Sequence, residues 1–481
     1  MPYLFAIARW LPLPLFLAAA TPGQAGETPA APLSPPPAAE AAASAGLLND
    51  ALRQASPAWE KWDVGGQARF RYDLKHNGGM NPNADFLPGG ADNDNDFFLF
   101  RQKIHLGWQP ESWLKFFVQG RGAQVASDDR DPSPDEDVFD LQQAYIQLGD
   151  PKLFPLTLKV GRQELIYGDQ RFVGNGDWGN TGRVFDAASL RYSFSGKSWI
   201  DLFSGRVVIP RDGHFNESNE HDHFSGLYAS SQELWPGVET QAFFLSRNVG
   251  GQSPNAIAPG IGGPSERDVY TYGLRLKSLA GAFGGWDFYL EGAGQFGEIV
   301  SGGTARDLRS FFVAGSVGHT FEEAWAQPRV GLGYDYASGD SSAADGRHET
   351  FDPLFGTNHN YYGVMDLMGP RNLNSPRLSL SFKPLKKLSV AADYLLFWLA
   401  DTSDSFYPEA GAARNANGYG RNSQFDSFVG SELDIVVKYA LTPWAEIHAG
   451  YGHFFVGDYV KQSVRNPEDA DWFYVQTTIN F

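Results

Sequence analysis

Residues 96–125 read DFFLFRQKIHLGWQPESWLKFFVQGRGAQV. Arg101, Lys103 and His105 interleave with Phe100, Ile104, Leu106 and Trp108. Such period-2 alternation marks a β-strand with one polar and one apolar face. The pattern breaks at the tight turn Gln109-Pro110-Glu111-Ser112, and a second long alternating run follows. Strands of soluble domains average about five to six residues. These runs are longer, nearer the roughly nine to eleven that a transmembrane strand needs.

Working outward, the same pattern recurs from Gly66 to the end. Strands are predicted near 66–74, 96–109, 112–125, 138–149, 155–165, 184–194, 199–209, 223–231 and 237–247. They continue near 269–279, 285–297, 309–320, 328–338, 374–384, 387–400, 427–441, 444–456 and 472–481. Tight turns such as Ser195-Gly196-Lys197-Ser198 and Leu441-Thr442-Pro443-Trp444 alternate with long polar connections. The long ones are 75–95, 126–137, 166–183, 210–222, 248–267, 298–308, 339–373, 401–426 and 457–471. Regular alternation of short and long connections is the habit of outer-membrane barrels, and an even strand count leaves both ends in the periplasm. The expected fold is therefore all-β: a transmembrane antiparallel up-and-down β-barrel of about 18 strands, with short periplasmic turns and long extracellular loops. Trp108, Trp113, Trp199, Trp286, Trp444 and Trp472 fall near strand ends, where an interfacial aromatic girdle is expected. The closing run WFYVQTTINF, residues 472–481, resembles the final strand by which barrel-assembly machinery recognises such proteins.

Bulk composition agrees. The 481 residues include thirty-six Phe, twenty Tyr, fifty-four Gly and no Cys, with a formal charge of −18. Absence of cysteine excludes a disulfide framework or thiolate metal site. The acidic balance argues against nucleic acid as a partner. At the N-terminus, Arg9, an apolar run from Trp10 to Ala20 and Gly23-Gln24-Ala25 fit a secretory signal peptide over 1–25. Residues 26–46 read as an Ala/Pro-rich tether, 47–62 as a possible short helix, and 63–481 as the barrel. The expected location is the outer membrane of a Gram-negative cell.

Strand parity sorts the wall charges. Arg69, Arg71, Arg101, Lys103, Arg121, Lys159 and Arg191 are expected to face the lumen, as are Arg275, Lys277 and Lys438. Basic wall residues outnumber acidic ones, so the chain's acidity is assigned to loops such as Asp128-Asp129-Arg130-Asp131. Arginine rings select anions in pores, and guanidinium grips carboxylates with two parallel bonds. Asp92-Asn93-Asp94-Asn95-Asp96 lacks the full calcium loop and reads as a solvated acidic tip. His214, His221 and His223 read as an ordinary polar loop. No GxSxG, HExxH or P-loop is present, so the chain is expected not to be an enzyme, and no cofactor or metal is assigned.

Residues 161–193, GRQELIYGDQRFVGNGDWGNTGRVFDAASLRYS, resemble the signature of the alginate export family of outer-membrane porins. FDPLFGTNHNYYGVMDLMGPRNL, residues 351–373, is similar to a second segment of that family. The resemblance covers roughly 60–481. It implies an eighteen-stranded barrel with an electropositive constriction passing a polyuronate. It also implies that Arg162, Arg171 and Arg183 line that constriction, with Glu164, Asp169 and Asp177 as the acids that fix their direction. The glycine-rich loop is expected to fold toward the pore, where its arginines meet Arg69, Arg71, Arg101 and Arg121. The expected function is a passive, charge-selective channel for an anionic polysaccharide or oligosaccharide. The alternatives are an uptake porin for small organic anions, an outer-membrane enzyme, and a secreted β-sandwich lectin. Expected partners are outer-membrane lipid and lipopolysaccharide, the anionic polysaccharide, and periplasmic export or barrel-assembly components.

Overall fold

The computed structural model describes residues 46–88, 93–253 and 265–481. The expected signal peptide and nearly all of the tether lie outside them. A helix, Leu47–Ala55, precedes the first strand. Its Asn49 side chain bonds the Asp63 carboxylate at 2.9 Å and accepts from the Val64 backbone at 2.8 Å.

Eighteen long strands form one antiparallel sheet, each paired with its neighbours in the chain. They run from Trp62–His76 to Ala470–Asn480. These two pair with each other, from Gln67 opposite Asn480 to His76 opposite Asp471. Closure removes every free edge, the condition for a sheet to sit in a bilayer. One further pair of residues, Arg347–His348, bridges in parallel to Asp307 and Leu308 of the strand Thr304–Thr320.

Alternation along the strands follows the expected parity. Phe70, Ile104, Leu274 and Ile479 are exposed on the outer face, whereas Arg69, Arg101 and Arg275 are buried inside. Trp108, Trp113 and Trp286 are exposed near the short-turn end, joined there by Trp235 and Trp325. Two expected girdle residues belong elsewhere. Trp199 stacks on lumenal Tyr228, and buried Trp472 donates to Asp73 at 2.9 Å. Each sits one residue out of phase with its lipid-facing neighbours, so nearness to a strand end did not place it at the interface.

The long connection expected over 298–308 is absent. Trp286–Ser301 and Thr304–Thr320 continue as a hairpin turned by Gly302 and Gly303, both in the left-handed region. The charges of that stretch, Glu298, Arg306 and Asp307, lie on paired strands. A strand standing above the bilayer need not carry an apolar face.

Residues 164–184 and 338–372 connect strands at the long-loop end and turn inward. Their Phe172, Val173, Phe351 and Phe355 bury against Phe203, Phe224, Phe243 and Phe312 of the wall. The inner face is thus polar in one part and aromatic in another, where the loops are seated.

Candidate functional site

The loop 164–184 is shaped by its glycines and held by its carbonyls. Gly176 lies at φ +58, so the tip turns where a side chain would strain the backbone. The loop pairs with the second lumenal segment through a parallel bridge, Val173 to Phe355. Gly174 N donates to Phe355 O at 3.0 Å, and Phe355 N to Phe172 O at 3.0 Å. Contact is close enough that a Cβ on Gly356 would lie 2.2 Å from Arg171 O. The two segments whose sequences stood out are therefore one structural unit inside the barrel.

The basic wall of the first strands receives the tip of this loop. Arg69 donates to Asp177 O at 2.7 Å and Gly179 O at 2.9 Å. Arg71 donates to Trp178 O at 3.0 Å, and its guanidinium lies 4.2 Å above the Trp178 ring. Arg101 donates to Asp177 O at 2.8 Å and to the Asp177 carboxylate at 3.1 Å. Lys103 reaches the same carboxylate at 2.7 Å. Four cations meet here with two carboxylates, Asp177 and Asp73. Charge-assisted bonds to carbonyl dipoles fix the tip without neutralising the arginines.

The opposite side of the loop is fastened to another wall. Asp169 accepts from Arg275 at 2.9 Å and from Lys277 at 2.9 Å. Arg171 donates to Asp335 at 2.9 Å and to the Tyr362 hydroxyl at 2.8 Å, with Tyr361 stacked at 3.9 Å. The Trp178 ring stacks on His359 at 3.9 Å, joining the two segments again near the tip.

The motif arginines do not converge with the wall arginines as expected. Arg162 shares the parity of outward-facing Val160 and is clamped by Asp186 at 2.8 and 3.0 Å and by Asn216 O at 2.9 Å. Arg171 is buried on Asp335, and Arg183 donates to Gly174 O and to Phe355 O. The expected acid partners are also reassigned. Asp169 and Asp177 bind wall cations rather than motif arginines, and Glu164 accepts from Asn175 at 3.2 Å. The reason is the inward fold: it points the loop's acids at basic strands and its arginines at an acid and at carbonyls of its partner segment.

The remaining wall residues divide. Arg121 is buried in an ion pair with Asp137. Nearer the short-turn end, Lys159 lies 3.9 Å above the Tyr145 ring. Arg191 is held by both oxygens of Asp201, at 2.7 and 2.9 Å, with its guanidinium 4.2 Å above Trp199. Asp201 and Asp335 matter more here than the sequence suggested. Asp201 sits at a lumenal parity position among apolar neighbours, a signal that was readable. Among the described residues, no group of three His, Asp or Glu is arranged to hold a metal. His223 bonds Ser204 at 3.0 Å instead.

Solved structures share this fold at low identity. Pseudomonas aeruginosa OccK11 (OpdR) is 14% identical, with 88% of this chain and 96% of that one covered at a TM-score of 0.55. Pseudomonas aeruginosa OpdK with vanillate is 11% identical over 87% of this chain and 98% of that one, TM-score 0.54. Acinetobacter baumannii OccAB1 is 11% identical over 87% and 97%, TM-score 0.54. Among curated proteins, the sequence has no significant match. The alginate export family matches residues 61–472, nearly the whole barrel. With its closed eighteen-stranded sheet and the family match over nearly the whole barrel, the chain belongs to the alginate export family and is an outer-membrane β-barrel channel.

Proposed function

We propose that the protein passes an anionic oligo- or polysaccharide, such as an alginate-like polyuronate, by passive charge-selective diffusion. The observation that carries this reading is the meeting of Arg69, Arg71, Arg101 and Lys103 with the inward loop tip. These four cations outnumber the carboxylates in direct ion pairs with them, Asp73 and Asp177, which supports a local excess of positive charge at the loop tip. Screening acts over about 8 Å at physiological salt, so a passage beside these groups feels it. Successive carboxylates of a polyuronate then move between cations that already have partners, and each contact stays weak enough to release. No catalytic role is assigned to any residue. The proposed surroundings are lipopolysaccharide outside and export or assembly components in the periplasm, with a mature chain beginning near Gly26.

A second reading, uptake of small organic anions, is favoured by the aromatic core that the two loops build inside the barrel. The fold relative with vanillate, an aromatic carboxylate, supports the same chemistry on a smaller solute. Planar-bilayer recordings test both. Anion selectivity with block by oligouronates is expected for the first reading. Anion selectivity with block by monomeric carboxylates alone supports the second, and cation selectivity overturns both.

A further inference from the structure

Two strands carry the same short pattern, Arg-x-Lys: Arg101 and Lys103 on Asn95–Glu111, Arg275 and Lys277 on Ser265–Ser278. Residues two apart on a strand point to one face, so each pair forms a two-cation receptor in the lumen. Each receives one acid of the loop 164–184. Arg275 and Lys277 hold Asp169, and Arg101 and Lys103 hold Asp177.

The two receptors differ in access. The Asp169 side chain is 7% exposed, and its Arg275 also binds Glu239 at 2.8 Å. The Asp177 side chain is 46% exposed, although Arg101 beside it is buried. The loop at Asp177 does not depend on that carboxylate for its position. Arg69, Arg71 and Arg101 grip the carbonyls of residues 177–179 independently. One receptor is a closed anchor. The other presents a carboxylate to the lumen, on a backbone held by separate bonds.

We propose that Arg101 and Lys103 form a carboxylate-exchange site, in which a carboxylate of the permeating anion takes the place of the Asp177 side chain. Asp177 then acts as a tethered stand-in for the solute. When no solute is present it occupies the cations, so that they are not left as a deep trap. When a carboxylate arrives, the Asp177 side chain rotates away and leaves the loop backbone where it was. Lys103 supplies its ammonium to the incoming oxygen. Arg101 supplies Nη2, which also donates to Gln67 Oε1 at 2.7 Å, while its Nη1 keeps hold of Asp177 O. Only the carboxylate side of this pair opens to the lumen, so an incoming carboxylate can replace Asp177 without leaving the buried cations uncompensated, whereas the Asp169 pair is closed on both sides. This proposal rests on the anion-channel reading and deepens it by naming the subsite.

The test uses the full-length barrel in planar bilayers, probed with galacturonate, its trimer and a neutral maltotriose control. Asp177→Asn is expected to raise the anion-to-cation permeability ratio. It is also expected to lower, several-fold, the trimer concentration that halves conductance. Asp177→Glu, which keeps a competing carboxylate on a longer arm, is expected to shift both readouts less than Asp177→Asn. Lys103→Gln is expected to weaken block by the monomer and trimer alike, and maltotriose block is expected to be unchanged in every variant. If Asp177→Asn keeps its heat-modifiable gel mobility, yet permeability ratio and uronate block equal the parent's, the exchange site is refuted. If Asp177→Asn fails to assemble, unchanged uronate block in Lys103→Gln refutes it equally. A cation-selective parent overturns the channel reading instead. The exchange site is then decided by monomer block in parent and Asp177→Asn: tighter block in the variant supports it, equal block refutes it.

Discussion

A single residue is governed here by which face of a strand it occupies. Leu274 is 49% exposed on the outer face, between Ala242 and Gly292 of the flanking strands. Leu276 shares its parity but lies two residues from the strand's end. The cost of a lysine should therefore be greater at Leu274: about 2–4 kcal/mol if it lies at mid-bilayer, falling toward the interface. Urea titration of the refolded barrel in vesicles measures both variants, and equal costs would place the membrane elsewhere. Inside, Asp169→Asn leaves Arg275 and Lys277 short of one carboxylate. Breaking a buried pair from one side costs about 3–5 kcal/mol. The expected result is a loosened loop, read as noisy single-channel current and faster proteolysis between residues 164 and 184.

At the scale of elements, the two lumenal segments stand or fall together. A Cβ at Gly356 has no room against Arg171 O, so Gly356→Ala should push the segments apart and increase conductance. Unchanged conductance would mean that the paired segments do not restrict the passage. The outer connection 127–136 has its own lock. Burial pushes the Asp128 carboxyl up, but hydrogen bonds from Arg130, Ser133 and Asn95 outweigh it and hold the group at about 2. A depressed folded value stabilises the loop above the ordinary carboxylate range. That contribution is lost as pH falls toward about 2. Pepsin should therefore nick 127–136 increasingly between about pH 4 and pH 2. In Asp128→Asn the cut should already appear at the upper end of that range. Asn95, expected as part of a solvated tip, is a buried member of this lock.

The whole molecule depends on one seam. Ala68 lies opposite Ile479 where the first and last strands meet. Antiparallel neighbours are separated by about 4.5–5.5 Å between Cα atoms, within disulfide reach. The chain has no cysteine of its own. Ala68→Cys with Ile479→Cys should cross-link on oxidation and change the mobility of the boiled species, and reductant should restore the parent's boiling shift. Failure to cross-link, with folding intact, would contradict the closing register. The parent should fractionate with outer membranes and shift its gel mobility on boiling.

The sequence by itself determined the barrel, its strand count and the inward direction of Arg69, Arg101 and Arg275. Those follow from local rules: a period of two, a bilayer's thickness and the contrast between short and long connections. It also marked the two segments, 161–193 and 351–373, as special. The tertiary structure alone decided what they do. Loop acids and wall cations that are distant in sequence meet only when the segments fold inward. Asp169 meets Arg275, Asp177 meets Arg101, and Arg171 meets Asp335. Parity says that a charge faces the lumen, but it cannot say which partner waits there. It is likewise silent on the aromatic seat around Phe172 and Phe355, because inward Phe residues have the same period as lipid-facing ones. Pairing across a closed barrel depends on strands brought opposite by closure, and no local run of residues encodes that distance.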